Sequence, residues 1–517
     1  MFSNIKSLHF LVAILVAVFT TGWMRVHLIP WGPEPDGAHY TFLSQYIYYL
    51  LSTGQNISID MPLSLYSTLT AWVYGLEINQ FMALRWIDLC MAVTASILFF
   101  TVIKKESTSL SFTFIVLTAS LLIMNHQSVI FVGFNNSIWV AYVPFFSALL
   151  ISQNLKQDSN YSFYFIGALA SLGVLLREPL LSFYVVGSVA IFFAFGWRAL
   201  LKYFIGSAIL GFSTIILLRG WNLFGLLESY VNLGNVLADY KSMMPELFTK
   251  NGFFMIKQFW FGLMLFVALT VYLLKIHLSG KDKINLGRFL FWLAIALVPI
   301  IEAWSKLPGP YHFAQCIPGL IGFSALGWRY LSLNESKKIR QYSMTAIYLI
   351  CFFGMQPQLN LIYENFKDER TLANAYNQLW TFPWRQDEVI RHSNFLISAE
   401  LIRHISNTDS TLSTGGGTPL YPLTGLVPPT YKLYDLRALF ASLDFNEDKL
   451  VAILREHQPT LIMPTNLGIP GIRELTRVIQ RSGLYEKVAY VEDSDVVHYG
   501  SISGNIYRLK SFIKKDN

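Results

Sequence analysis

Eleven apolar runs divide the first 357 residues of this chain, near 7–24, 82–103, 109–124, 137–153, 162–176, 180–196, 203–218, 257–275, 288–304, 312–329 and 342–357. A helix of about 20 apolar residues crosses a hydrocarbon core, and only helices and closed barrels satisfy their own backbone hydrogen bonds there. Runs of this length and number therefore predict a bundle of membrane helices. The composition points the same way: 53% of the 517 residues are hydrophobic and 14% charged, against about 25% charged in soluble domains. The net charge of +7 does not argue for nucleic acid, because Lys and Arg sit in short loops between apolar runs, where they report topology. Cys90, Cys316 and Cys351 all lie inside apolar runs, so no disulfide framework is expected. Lys6 followed by an apolar run has the outline of a signal peptide, but Thr20-Thr-Gly-Trp-Met24 is a poor cleavage site and a retained first span is expected.

The positive-inside rule sets the orientation. With the N-terminus in the cytoplasm, the inside loops carry Lys104, Lys105, Lys156, Arg198, Lys202, Lys275, Lys281, Lys283, Arg288, Arg329, Lys337, Lys338 and Arg340. The outside segments carry fewer, chiefly Arg25, Arg85, Arg177, Arg219 and Lys306. An odd number of spans puts the C-terminal region outside. Three outside segments are long: 25–81, 219–256 and 358–517. In the first, Tyr40 to Leu51 is aromatic-rich and too short to span, and reads as a helix lying in the membrane interface. Leu63 to Leu76 is of the same kind.

The tail is charged and punctuated like a soluble α/β domain. Asp387 to Ser406 has helical spacing, 447–456 is amphipathic, and short strands are expected at Thr411–Thr414, Leu461–Met463, Lys487–Val491 and Asn505–Leu509. Gly415-Gly-Gly417 lacks the Lys-Ser/Thr of a phosphate-binding P-loop and reads as a turn. Lys514-Lys-Asp-Asn517 has the form of a cytosolic retrieval tail but falls on the wrong side of the membrane. The expected architecture is a polytopic α-helical membrane protein of about eleven spans (1–357) with a C-terminal extracytoplasmic α/β domain (358–517).

Chemistry-bearing residues gather at the outer ends of the spans. Glu34 and Asp36 lie just past the first span, and a carboxylate there can act as general base. Arg177-Glu178-Pro179 interrupts two apolar runs, and a planar guanidinium matches phosphate. Arg85 and Asp88 share one helix, three residues apart, where they can pair. His126 and Asn135-Asn136 line a neighbouring loop, and Glu302, Lys306 and Tyr311-His312 flank Leu307-Pro-Gly-Pro310. Each has a plainer reading. The carboxylates can simply solvate a proline-rich loop, Arg177 can anchor a turn, and an interfacial histidine is often satisfied by a neighbour. No His/Cys spacing suited to a metal and no nucleotide fingerprint is visible. The inside loops are too short to hold a nucleotide sugar, so a sugar donor would have to be lipid-linked and presented outside.

These motifs, in this order, resemble the GT-C superfamily of integral-membrane glycosyltransferases. The similar branch is the bacterial one related to protein O-mannosyltransferases and aminoarabinose transferases. Pro35-Asp-Gly-Ala-His-Tyr40 is similar to that branch's first-loop motif, with Gly37 where a second acid is common. Met61-Pro-Leu-Ser-Leu-Tyr66 resembles its His-Pro-Pro-Leu segment with Met61 in place of the histidine, so no role of that histidine is carried over. Leu84-Arg-Trp-Ile-Asp88 resembles the start of its second span, Leu175-Leu-Arg-Glu-Pro179 its Thr-Lys-Pro turn, and Tyr311-His-Phe with Pro318 a late Tyr-containing helix start. Thr414 to Thr430 resembles the outer domain of many bacterial members.

The resemblance implies a polyprenyl-phosphate sugar donor, made by a separate synthase and flipped across a bacterial inner membrane. It implies inverting transfer with Asp36 as base beside Glu34, donor phosphate on Arg177 and His312, and support from Tyr40, Arg85, Asp88, Glu178 and Tyr311. The tail would cover the active site or bind acceptor. No cofactor is expected; some members use a divalent metal, for which no ligand set is visible. The acceptor would be a cell-envelope glycan or lipid, with glucosylation of O-antigen the preferred expectation. A flippase of lipid-linked sugars, an O-antigen polymerase or ligase, and a non-enzymatic scaffold are the alternatives.

Overall fold

The computed structural model describes residues 2–26, 35–55, 65–76, 78, 80–126, 136–153, 161–177, 180–219, 244–278, 286–305, 309–367, 394–416, 418–464, 472–491 and 504–511. Glu34, Glu178, Pro179, Asn135, Lys306 and the stretch 220–243 lie outside the described residues, as do 387–393 of the expected tail helix. Packing divides the chain into two compact units. One comprises Met1–Ile29, Arg85–Leu217 and Tyr240–Ala373; the other comprises Pro30–Leu84, Leu218–Asp239 and Asn374–Asn517.

The first unit is helical throughout its described residues. Its helices are α1 (Phe2–Ala17) and α2 (Trp23–Val26), then, after the two first-loop helices of the other unit, α5 (Gln80–Ser107), α6 (Leu110–Met124), α7 (Asn136–Ser152), α8 (Ser162–Leu176), α9 (Leu181–Phe195) and α10 (Trp197–Arg219). There follow α11 (Met244–Gln258), α12 (Trp260–Leu278), α13 (Leu286–Ser305), α14 (Pro310–Ala314), α15 (Ile317–Asn334) and α16 (Lys337–Lys367). Every one of the eleven apolar runs is helical. Five stretches are long and apolar enough to cross a membrane by length and composition: Leu8–Val26, Ala83–Ser107, Trp197–Leu217, Trp260–Leu278 and Gly287–Trp304. Four shorter apolar helices stand beside them, among the described residues.

The outward faces show why water is the wrong solvent for this unit. On α12, Phe261, Leu265, Leu269 and Leu273 are buried, while Met264, Val267, Val271 and Leu274 on the opposite face are exposed. A helix apolar on all sides is a core or membrane helix. Sequence neighbours do not dictate the packing: α6 packs against α1 and α16, α15 against α12 and α13, and α9 against α13. Small residues set the close crossings. A Cβ on Gly206 of α10 would lie 1.9 Å from the Tyr164 carbonyl of α8, and one on Gly167 of α8 would lie 2.0 Å from the Tyr203 carbonyl of α10. Ser207 Oγ donates to the Gly167 carbonyl at 2.9 Å across the same contact. Such approach is how membrane helices gain packing without a hydrophobic driving force.

The second unit joins the first outer loop to the tail. Its first-loop elements are α3 (Pro35–Ser52), α4 (Leu65–Thr70) and the 3-10 turn Ala71–Gly75. The tail supplies α17 (Asn394–Ile405), β1 (Leu412–Thr414), α18 (Leu420–Thr424), α19 (Leu436–Ser442), α20 (Glu447–His457), β2 (Leu461–Met463), α21 (Ile472–Arg481), β3 (Tyr485–Val491) and β4 (Gly504–Leu509). The strands form one sheet in the order β1-β2-β4-β3, with β1 and β2 parallel and the other pairs antiparallel. Strand residues alternate faces. Leu461, Met463 and Ile506 point into one core with α17, α18 and α3, whereas Ile462 and Tyr507 point into another with α19, α20 and α21. The four tail strands and the helices of 394–405 and 447–457 match the sequence pattern to within a few residues. The pattern did not reveal that α3, from a loop over 300 residues upstream in sequence, covers one face of the sheet.

Candidate active site

Asp36 is the second residue of α3, directly after Pro35. Proline suits a first helical position because its missing N–H would have no intrahelical partner anyway. From there α3 is fixed on two sides. Phe42, Leu43, Tyr46, Ile47 and Leu50 recur at helical spacing and form its buried stripe. The ring of Phe42 lies 4.4 Å from Tyr421 and 5.3 Å from Tyr434, centroid to centroid, and Gln45 Nε2 donates to the Leu426 carbonyl at 3.0 Å. On the other side, Ser44 and Thr70 hydroxyls meet at 2.9 Å, Ser67 donates to the Tyr40 carbonyl at 3.1 Å, and Tyr74 to the Thr41 carbonyl at 3.0 Å.

The ring of His39 lies 5.7 Å from Tyr40 and 5.8 Å from Tyr434, and Tyr40 meets Tyr66 edge-on at 6.4 Å. The start of α3 is therefore set among aromatic rings from the first loop and the tail. Tyr421 donates to the Tyr434 carbonyl at 2.6 Å, as does Thr414 at 3.1 Å. Asp435 caps α19 by accepting from the amides of Arg437 and Ala438. Burial, reinforced by the Asp435 carboxylate, raises the Tyr434 hydroxyl well above its usual range, and burial pushes Tyr46 up to about 12. These rings are neutral donors at any physiological pH. Gly415 and Gly416 bend away from β1: the Gly415 amide donates to the Met463 carbonyl at 3.1 Å, and Gly416 sits at φ 90°, while Gly417 lies outside the described residues.

In the helical unit, Arg85, Asp88, Arg177 and His312 are all buried. Asp88 forms a fully buried ion pair with Arg25 from α2, a partner that spacing along α5 did not reveal. Asn125 at the end of α6 accepts from Arg25 at 3.3 Å and donates to Thr21 at 3.1 Å; Thr21 meets Ser96 at 2.7 Å. The Arg25 guanidinium also lies 5.8 Å from the Trp139 ring of α7. A π turn at Val18–Gly22, of the kind common at functional positions, presents Thr21 to this network. Beside it, burial lowers His126 below the usual histidine range, so its ring is neutral.

Arg177 caps α8 in an extended conformation, its amide donating to the Gly173 carbonyl at 2.9 Å. A Cβ on Gly173 would lie 3.5 Å from the Ala141 carbonyl, which places this end of α8 against the same end of α7 that Trp139 occupies. Tyr142, one turn on, interacts electrostatically with Glu302 of α13 and with Cys316. His312 lies in α14, its ring 4.3 Å from that of Tyr311. The buried ionisable groups of α2, α5, α8 and α14, with the half-buried Glu302 of α13, thus share one end of the bundle. Arg25 was legible only as a loop charge. Its distinguishing signal is that it closes an apolar run, where an ionisable group is costly unless partnered.

Among solved structures, the chain matches ArnT from Cupriavidus metallidurans bound to undecaprenyl phosphate, with a TM-score of 0.51 and 10% sequence identity over 98% of this chain and 99% of that one. No protein-family profile and no curated protein sequence matches it. At that identity the likeness speaks for the fold alone, and it runs the length of both chains: this chain shares the fold of that ArnT structure.

Proposed function

We propose that this protein transfers a sugar from a polyprenyl-phosphate donor to an extracytoplasmic cell-envelope acceptor, with inversion. The observation that carries the reading is the end-to-end likeness to a transferase fold whose solved example holds undecaprenyl phosphate. In this reading the Asp36 carboxylate takes the proton of an acceptor hydroxyl. The hydroxyl oxygen forms the new bond to the anomeric carbon as the carbon–oxygen bond to phosphate breaks, and the polyprenyl phosphate leaves with the electron pair. The likeness of Pro35-Asp-Gly-Ala-His-Tyr40 to the first-loop motif supports Asp36 as the base. Burial of Arg177 and His312 supports a role for them in holding the donor phosphate, since a guanidinium in a water-poor setting binds phosphate strongly. Glu34 stands beside Asp36 as the second catalytic carboxylate, and Tyr40, Arg85, Asp88, Glu178 and Tyr311 take supporting roles. The donor is a hexose, the preferred acceptor is O-antigen, and the protein sits in a bacterial inner membrane with its tail on the outer side.

The test is mass spectrometry of envelope glycans from cells expressing the wild type, Asp36→Asn, or no copy. A one-sugar increment with the wild type alone is expected, with equal protein levels for the variant. An increment that survives Asp36→Asn would remove Asp36 from the reaction, and no increment in any cells carrying the donor synthase would count against transfer.

A further inference from the structure

A cavity of about 350 Å³ opens between α7, α8, α9 and α13, running from Gly173 and Leu180, next to Arg177, to Glu106, Gln153 and Arg288. That size falls in the range of about 300–1,000 Å³ typical of small-molecule sites. Its walls are apolar, with Ala148, Leu180, Phe183, Gly187 and Ile191 among them. One end is polar, made by Glu106 of α5, Gln153 after α7 and Arg288 of α13. Along α5 this end lies 21 residues beyond Arg85, or roughly 30 Å at about 1.5 Å per residue.

The Glu106 side chain is 3% exposed and lies 3.9 Å from the Arg288 guanidinium. Gln153 Nε2 donates to Glu106 Oε2 at 3.1 Å and to the Val102 carbonyl at 3.3 Å. Among the described residues, no hydrogen bond reaches two buried acceptors, Glu106 Oε1 and Gln153 Oε1. Arg288, Arg329 and the Trp292 indole act on the carboxylate from its other sides. A buried acceptor without a donor is costly, more so when charged, so the cavity suits a donor-rich, positively charged group. Beside that group stands a guanidinium suited to phosphate, and behind it an apolar channel.

We propose that this cavity binds a phospholipid with a primary-ammonium headgroup, of the phosphatidylethanolamine class. The ammonium would donate to Glu106 Oε1 and Gln153 Oε1, the phosphodiester would face Arg288, and an acyl chain would fill the apolar channel. A polyprenyl phosphate fits this end poorly, because its phosphate has no donor for the two acceptors and is repelled by Glu106. The headgroup end is thus chemically distinct from a donor-phosphate site at Arg177, with the apolar channel between them.

The test is native mass spectrometry of the detergent-solubilised full chain titrated with phosphatidylethanolamine, phosphatidylcholine, phosphatidylglycerol or undecaprenyl phosphate. Phosphatidylethanolamine should be retained about tenfold better than phosphatidylcholine, which has the same charge but no N–H donor. Glu106→Gln, which keeps the side chain's size, should erase that preference. Gly187→Phe should weaken retention of every phospholipid, because a Cβ on Gly187 has no atom nearer than the Tyr203 hydroxyl at 3.8 Å and a larger side chain would occupy the channel. Equal retention of all lipids, a preference that survives Glu106→Gln, or displacement of phosphatidylethanolamine by undecaprenyl phosphate would each overturn the proposal. Binding is read without sugar transfer, so its failure would leave the catalytic reading standing.

Discussion

Arg25 and Asp88 form the most enclosed charge pair among the described residues, with both side chains fully buried. A buried pair contributes little net stability, but removing one partner leaves an uncompensated charge, at a cost of about 3–5 kcal/mol. Asp88→Asn keeps the side chain's shape and removes its charge, so it should lower the thermal unfolding midpoint of the solubilised protein sharply. Replacing both residues by leucine should recover most of the loss. An Asp88→Asn protein as stable as the wild type would show that the other partners of Arg25 suffice. The same reasoning separates two kinds of buried ion at this end of the bundle. The Arg25–Asp88 pair is held by Asn125, Thr21 and Trp139 and serves the packing. Arg177 and His312, on a helix cap and a five-residue helix, stand where one turn of backbone can adjust to a ligand.

At the scale of elements, glycines sort by what surrounds them. Gly206 faces the Tyr164 backbone, and an added methyl group would force α8 and α10 apart. Gly187 opens on the cavity and has room. Gly206→Ala should therefore destabilise the protein by about 1–3 kcal/mol, as overpacking does. Gly187→Ala should be neutral or gain up to about 1 kcal/mol of helix propensity. Thermal unfolding of the two variants side by side checks this, and equal midpoints would refute the close crossing. Helix positions were readable because apolar runs bounded by charge have few other conformations open to them in lipid. Their partners were not, since α6 packs on α16 and α9 on α13 through side chains spread over the whole sequence.

At the scale of the whole molecule, the unit built from the first loop and the tail has a tyrosine-lined core. Tyr46 is raised by burial from 10.0 to about 12. Its folded form keeps a proton that the unfolded chain loses, so the stability it contributes is complete below about pH 10 and declines as pH rises toward 12. Tyr421 and Tyr434 are shifted in the same direction, also chiefly by burial. Chemical denaturation followed by near-UV circular dichroism should show this unit weakening between about pH 10 and about pH 12; an unchanged midpoint would mean these rings are solvated. Residues 35–52 should weaken together with the tail, because Phe42 and Tyr46 share a core with Tyr421 and Tyr431.

The sequence alone determined the membrane class, the eleven helical runs and the strands of the tail, because hydrophobic periodicity is a local property that each segment carries by itself. It also marked Asp36, Arg177 and His312 as chemistry-bearing, since ionisable groups at the ends of apolar runs are costly and rarely idle. Only the tertiary structure decided that Asp88 pairs with Arg25, that α3 belongs to the core of the tail domain, and that Glu106 and Gln153 turn two acceptors into a cavity. The stretch Tyr40 to Leu51 of α3 looked like an interfacial helix because its apolar stripe needed a partner, and nothing in the 18 residues of α3 says whether that partner is lipid or protein. Each of these depends on which side chains meet across tens to hundreds of residues of chain. That choice follows from shape, charge and the cost of burying unsatisfied polar groups, none of which a local pattern contains.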